Sequence, residues 1–188
     1  MTHRSMVALL PLLSASLFVS SCGSSNMPTP AACMALASYT PTTTNTISFV
    51  NDIMPILTDT GSVPPTTPGC SSAAICHGSS PIKIDVAMTK SLMFADTPAN
   101  VYAALMMNAV NAPTMARVAP GSVANSFMAY KLSGADGLSC IDAKCVSGAS
   151  VGTSKPCGDP MPTSTSGAIT AAQRTLILDW IAQGAPQQ

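Results

Sequence analysis

The 188-residue chain contains no glutamate, so all eight of its acidic residues are aspartates. Charged residues make up only 9% of it, and eight basic side chains cancel the eight acidic ones. A neutral chain offers no electrostatic footprint for nucleic acid or for an anionic membrane surface, so no charge-driven partner of either kind is expected. Aromatics are scarce at 4%, with a single tryptophan. With few large side chains to bury, the core must be small and built mainly from Ile, Leu, Val and Met. Small cores ordinarily need disulfides, a metal or a cofactor to hold them. The sequence also lacks a close pair of carboxylates and a phosphate-binding glycine loop. Its one cysteine–histidine pair, Cys76-His77, consists of chain neighbours. That leaves little for catalysis by side chains alone.

The one long apolar run lies near the N-terminus. His3 and Arg4 make a short basic start, and residues 7–19 are mostly apolar but too short and too interrupted by Pro and Ser to span a membrane comfortably. Residues 1–21 therefore read as a signal peptide. The run ends in Val19-Ser20-Ser21-Cys22. This resembles a bacterial lipobox, in which small residues precede a cysteine that is acylated and becomes the new N-terminus. The resemblance makes Cys22 the lipidation site and implies a chain lipid-anchored in the bacterial envelope, on the periplasmic side or at the outer membrane. Ordinary secretory cleavage beside an incidental cysteine is the simpler alternative. Residues 22–45, dominated by Ser, Pro, Thr, Ala and Asn, read as a flexible tether, and residues 46–188 as the folded domain. Exported thiols tend to be oxidised. Beyond Cys22 the chain has Cys33, Cys70, Cys76, Cys140, Cys145 and Cys157, an even number whose pairing spacing alone does not fix.

Within the domain the periodicities are helical, and an all-α fold with long loops is expected. Ser48 caps a short helix over 48–58 that uses Phe49, Ile53, Ile56 and Leu57, with Pro55 kinking it. Residues 81–96 are ambiguous between a short alternating run and a helix. Thr97-Pro98 starts the next helix, with Val101, Ala104, Leu105 and Asn108 on one face. A further helix is expected over 122–132, through Val123, Phe127, Tyr130 and Leu132. Residues 133–158, rich in Gly and Ser and carrying three cysteines, read as a disulfide-tied loop rather than a core element. Thr170-Ala171-Ala172-Gln173 fits a capping box for the last helix. Its apolar stripe is Leu176, Ile177, Trp180 and Ile181, and Gly184 followed by Pro186 ends it.

The remaining signal is Cys70-Ser71-Ser72-Ala73-Ala74-Ile75-Cys76-His77-Gly78. It resembles a c-type haem attachment site, with five residues between the cysteines where the usual motif has two. The resemblance widens when other pieces are read in order. These are Phe49-Val50-Asn51-Asp52-Ile53-Met54-Pro55-Ile56-Leu57, Cys76-His77-Gly78, Val118-Ala119-Pro120-Gly121 with Ser126 and Lys131-Leu132, Met161-Pro162, and Leu178-Asp179-Trp180-Ile181-Ala182-Gln183-Gly184-Ala185. Together they resemble a class I cytochrome c domain of the bacterial lipoprotein type over roughly residues 46–186. The resemblance implies one haem c held by Cys70 and Cys76, with His77 and Met161 as axial ligands. It also implies an electron carrier rather than an enzyme, redox partner proteins, and a first helix crossing the last so that Phe49 or Ile53 approaches Leu176, Ile177 or Trp180. The alternative is that Cys70 and Cys76 form a disulfide beside an exposed His77. The chain is then a haem-free, disulfide-stapled envelope lipoprotein domain with a structural or binding role. Zinc held by Cys70, Cys76, His77 and a distant cysteine is disfavoured, because exported thiols oxidise.

Overall fold

The computed structural model describes residues 31–58, 92, 94, 96–146, 156–161 and 169–188. Regular structure among them is helical, as expected. In chain order it comprises α1 (Ala31–Ala37), a π-helical turn (Phe49–Ile53) running into α2 (Met54–Thr58), and α3 (Pro98–Leu105). A 3-10 turn (Val123–Asn125), α4 (Phe127–Leu132), α5 (Gly134–Ser139), a second 3-10 turn (Asp142–Lys144) and α6 (Ala171–Ala182) follow. These residues form no β-strand, only isolated bridges of Ala116 with Asn108 and with Ser126.

Helix α6 is the spine. Its start is fixed locally: the Thr170 hydroxyl accepts from the Gln173 amide at 3.1 Å, and the Gln173 side chain accepts from the Thr170 amide at 2.8 Å. Its end is fixed by Gly184, whose φ of 95° is closed to most side chains. The chain then folds back so that the Trp180 indole N–H donates to the Pro186 carbonyl at 2.9 Å. Thr170→Ala removes the hydroxyl half of the box, leaving the bond from the residue-170 amide to Gln173, and is expected to cost about 1 kcal/mol in urea unfolding. An unchanged midpoint would mean that other contacts hold the first turn.

The Ser48-capped helix packs against α6. Ser48 caps it by accepting from the Asn51 amide at 3.1 Å, and the Asp52 carboxylate accepts from the Ser48 amide at 2.7 Å. The widened π turn lies just before Pro55, a residue with no N–H to give to the preceding turn. Phe49, Ile53 and Leu57 are fully buried. Phe49 stacks on Trp180 at 5.4 Å between ring centres and meets Tyr102 of α3 edge-on at 5.3 Å. The Tyr102 hydroxyl donates to the Ala185 carbonyl at 3.0 Å, which joins α3 to the tail of α6. The expected approach of Phe49 to Trp180 is present.

Thr97 caps α3, and Pro98 is its first residue, as the sequence predicts. Val101 and Leu105 are buried, but Asn108 lies exposed beyond the end of the helix. There the chain turns back, and the Arg117 guanidinium donates to the Ala104 carbonyl at 2.7 Å, satisfying the last turn.

Three stretches differ from expectation. The helix over 122–132 is broken at Ser126, whose backbone is extended. Its buried hydroxyl accepts from the Ala119 amide and donates to the Ser122 carbonyl, both at 2.8 Å, giving the break its own hydrogen bonds. Residues 133–158 are not all loop, because α5 lies there and Leu138 and Ile141 enter the core. The glycines that suggested a loop serve packing: a Cβ on Gly137 would lie 2.8 Å from the Tyr130 carbonyl oxygen and 2.5 Å from the Ser133 Cβ. Finally, residues 31–45, assigned to the tether on composition, belong to the folded domain. α1 packs against α5 and the first 3-10 turn, with Leu36 buried. Residues 22–30 of the expected tether lie outside the described residues.

Candidate functional site

Of the residues singled out for chemistry, Cys22, Cys70, Cys76 and His77 lie outside the described residues. Met161 lies within them and is half-buried. Its amide donates to the Lys131 carbonyl at 3.0 Å, while the Lys131 ammonium donates to the Asp159 carbonyl at 2.6 Å and sits 5.4 Å from the centre of the Phe127 ring. Main chain and side chain of one lysine thus pin the Met161 loop to α4.

The cytochrome reading and its haem c are corrected. Among the described residues no group of three or more His, Cys, Asp or Glu side chains could hold a metal. Cys33 pairs with Cys140 and Cys145 with Cys157, so the sulfurs seen here bond to one another. The contact between the Ser48-capped helix and α6 is filled by the protein's own side chains: Phe49, Ile53, Ile177, Trp180 and Ile181 are all closed to solvent. A Phe–Trp joint of this kind is ordinary apolar packing and calls for no cofactor. Electron transfer and redox partner proteins were expected only through that haem.

The described residues do assemble a clamp between the N-terminal arm and α6. Asp179 is 1% exposed although it carries a carboxylate. It accepts from the Tyr39 hydroxyl at 2.8 Å, the Thr42 amide at 2.9 Å and the Thr42 hydroxyl at 2.6 Å. Burial pushes its pKa up, but the bonds from the Thr42 hydroxyl and amide, the Tyr39 hydroxyl and the Thr43 amide prevail and hold it below the ordinary aspartate value. The Tyr39 hydroxyl is pushed up by burial, by its bond to Asp179 and by that negative charge, with Arg174 opposing. One turn further along α6, the Gln183 side chain accepts from the Ile47 amide at 3.1 Å and donates to the carbonyls of Thr43 at 3.0 Å and Asn45 at 2.9 Å. Two side chains four residues apart therefore hold the extended segment 39–47 along the helix.

The Cys33–Cys140 disulfide ties the front of this arm to the end of α5 across 107 residues of sequence. The Cys145–Cys157 disulfide closes a local loop between cysteines 12 positions apart. A cavity of about 240 Å3 opens beside that second bond, lined by Leu138, Asp142, Pro156, Cys157 and Pro160 among others. The Cys157 sulfur lies 3.6 Å from an Asp142 carboxylate oxygen, a contact without a proton because the sulfur is in a disulfide.

Sequence reasoning gave Asp179, Gln183 and Lys131 no role beyond their place in the cytochrome-like pieces. The available signal for the first two was an acid inside the apolar run of α6 with a glutamine four residues later. Their partners lie 136 to 140 residues away and leave no local pattern. Lys131 carries a testable consequence. Burial lowers its pKa to about 8 against the opposing pull of Asp159. The folded state thus gives up this proton more readily than the unfolded chain, so stability rises as pH climbs from about 8 towards the unfolded lysine value of about 10.4. Lys131→Met keeps the apolar stem without the charge. It is expected to flatten that rise in urea titrations of thiol-blocked protein at successive pH values. A rise surviving in the variant would assign it to another group.

Disulfides persist in oxidising compartments outside the cytoplasm, and two are present here. No helix among the described residues is long and apolar enough to cross a membrane. No protein-family model matches the chain, and neither a curated protein nor a solved structure is similar to it.

Proposed function

We propose that the chain is a disulfide-stapled, lipid-anchored helical domain of the bacterial envelope with a structural or binding role. Export delivers it to an oxidising compartment, Cys22 carries the lipid, and the folded head is presented at the membrane surface. The observation that carries this reading is the Cys33–Cys140 disulfide, which binds the segment nearest the anchor directly to the head. With no net charge, the chain offers little long-range steering of encounters with charged partners.

One experiment in cells tests export and anchoring together. The full chain is expressed in a bacterium fed a labelled palmitate analogue, and its cysteines are trapped by alkylation at lysis. The wild-type chain is expected to take the label, fractionate with membranes and show Cys33, Cys140, Cys145 and Cys157 protected until reduction. Cys22→Ser is expected to lose the label and become soluble in the periplasm. Label-free wild-type protein, or freely alkylated Cys33 and Cys140, would overturn the reading.

A further inference from the structure

The two disulfides differ in what they join and in how they are exposed. Cys145–Cys157 is a loop closure with one end sealed, since Cys157 is 1% exposed. Cys33 and Cys140 are both partly exposed, and their bond is the only covalent link between the arm and the helices it lies on, apart from the chain itself. The rest of the arm's attachment is mostly polar. Tyr39 and Thr42 donate to Asp179, Ile47 donates to Gln183, and the carbonyls of Thr43 and Asn45 accept from Gln183. The neutral bonds to Gln183 are each worth about 1 kcal/mol net and those to the Asp179 carboxylate about 1.5–3, because water replaces them when the arm opens. Of the arm's apolar side chains, only Leu36 and Ile47 are buried. The Phe49–Trp180–Tyr102 joint that organises the core lies beyond the arm and needs none of it.

We infer that Cys33–Cys140 is the lock of a releasable arm: when a dithiol reduces it, residues 31–47 leave α5 and α6 while the core stays folded. The exchange balances simply. One thiolate of the dithiol attacks a sulfur of the pair, breaking the S–S bond and forming a mixed disulfide. The second thiol then displaces it, so the dithiol ends oxidised and Cys33 and Cys140 end as thiols. The consequence for reach rests on the anchored reading above. With the arm docked, residues 22–30 separate the lipid from the fold and span at most roughly 30 Å. With it released, residues 22–47 span up to roughly 90 Å. The redox state of one disulfide then sets how far from the membrane the head can work.

Hydrogen exchange read by mass spectrometry on the chain from residue 22 onward tests the release. The comparison is between oxidised protein, protein treated with dithiothreitol, and the Cys33→Ser/Cys140→Ser double variant. The amides of Thr42 and Ile47, which donate to Asp179 and Gln183, are expected to exchange at least about tenfold faster in the last two samples. The amides of Gln183 and Ala185, which donate to Asp179 and Trp180 carbonyls, are expected to keep their protection. Arm amides as slow in the double variant as in the oxidised chain would overturn the inference. So would simultaneous loss of protection in the arm and α6, or opening of Cys145–Cys157 first under dithiothreitol. None of these outcomes depends on the lipid, so failure of the arm and failure of the anchor are read separately.

Discussion

Trp180→Ala is expected to lower the unfolding free energy by about 3–5 kcal/mol. Trp180 is the largest fully buried side chain and the only tryptophan of the chain. Its ring carries the Phe49 stack, and its N–H fixes the Pro186 carbonyl and thereby the tail that Tyr102 also holds. Truncation therefore empties the point where α3, α6 and the Ser48-capped helix meet. Against the total of about 5–15 kcal/mol that domains of this kind possess, the loss is a large fraction of all stability. Trp180→Phe keeps the apolar contact but forfeits the indole hydrogen bond, and is expected to cost less than half as much. Urea unfolding followed by circular dichroism separates the two. A Trp180→Ala change below about 1 kcal/mol would mean that the core is not organised round this residue.

Asp179→Ala is expected to cost about 2–4 kcal/mol by a different route. It removes little volume but strips the Tyr39 hydroxyl and both Thr42 donors of their acceptor in a place sealed from water. Tyr39 and Thr42 themselves reach solvent, which lets water repair part of the loss and holds the figure below the sum of three orphaned donors. Asp179→Asn keeps one oxygen and is expected to fall between the variant and the wild type. The pH dependence has a definite sign. The folded pKa lies below the unfolded aspartate value of about 3.9, so the contribution is fully present above that value and is lost as pH falls through the folded one. Wild-type stability is thus expected to drop in acid more steeply than that of Asp179→Asn. Parallel acid limbs for the two proteins would remove Asp179 from this account.

Much of the helical framework is legible in the sequence because helix ends are local signals. Thr170 with Gln173, Thr97 with Pro98, and Ser48 each announce a start within four residues, and the structure has a cap at all three. Ser126 and Gly137 are harder, because both look like loop residues. One breaks a helix with its own buried hydroxyl, and the other permits a helix by leaving out a side chain. The arm was illegible for a stronger reason. Its Ser, Pro and Thr content is that of a tether, and what folds it is Cys140, Asp179 and Gln183, all more than a hundred residues away. The haem reading failed on the same ground. Cys-His-Gly, Met-Pro and Trp-Ile are short pieces, and their order along the chain does not by itself fix a cofactor site. The contact between the Ser48-capped helix and α6 is closed by Phe49 and Trp180 themselves.

The most direct test of the disulfide-stapled domain is peptide mapping of the exported chain, alkylated at harvest and digested without reduction. The account predicts cross-linked peptides joining Cys33 to Cys140 and Cys145 to Cys157, and no alkylated form of any of the four. Free thiols at these positions, or any of them joined instead to Cys70 or Cys76, would contradict it.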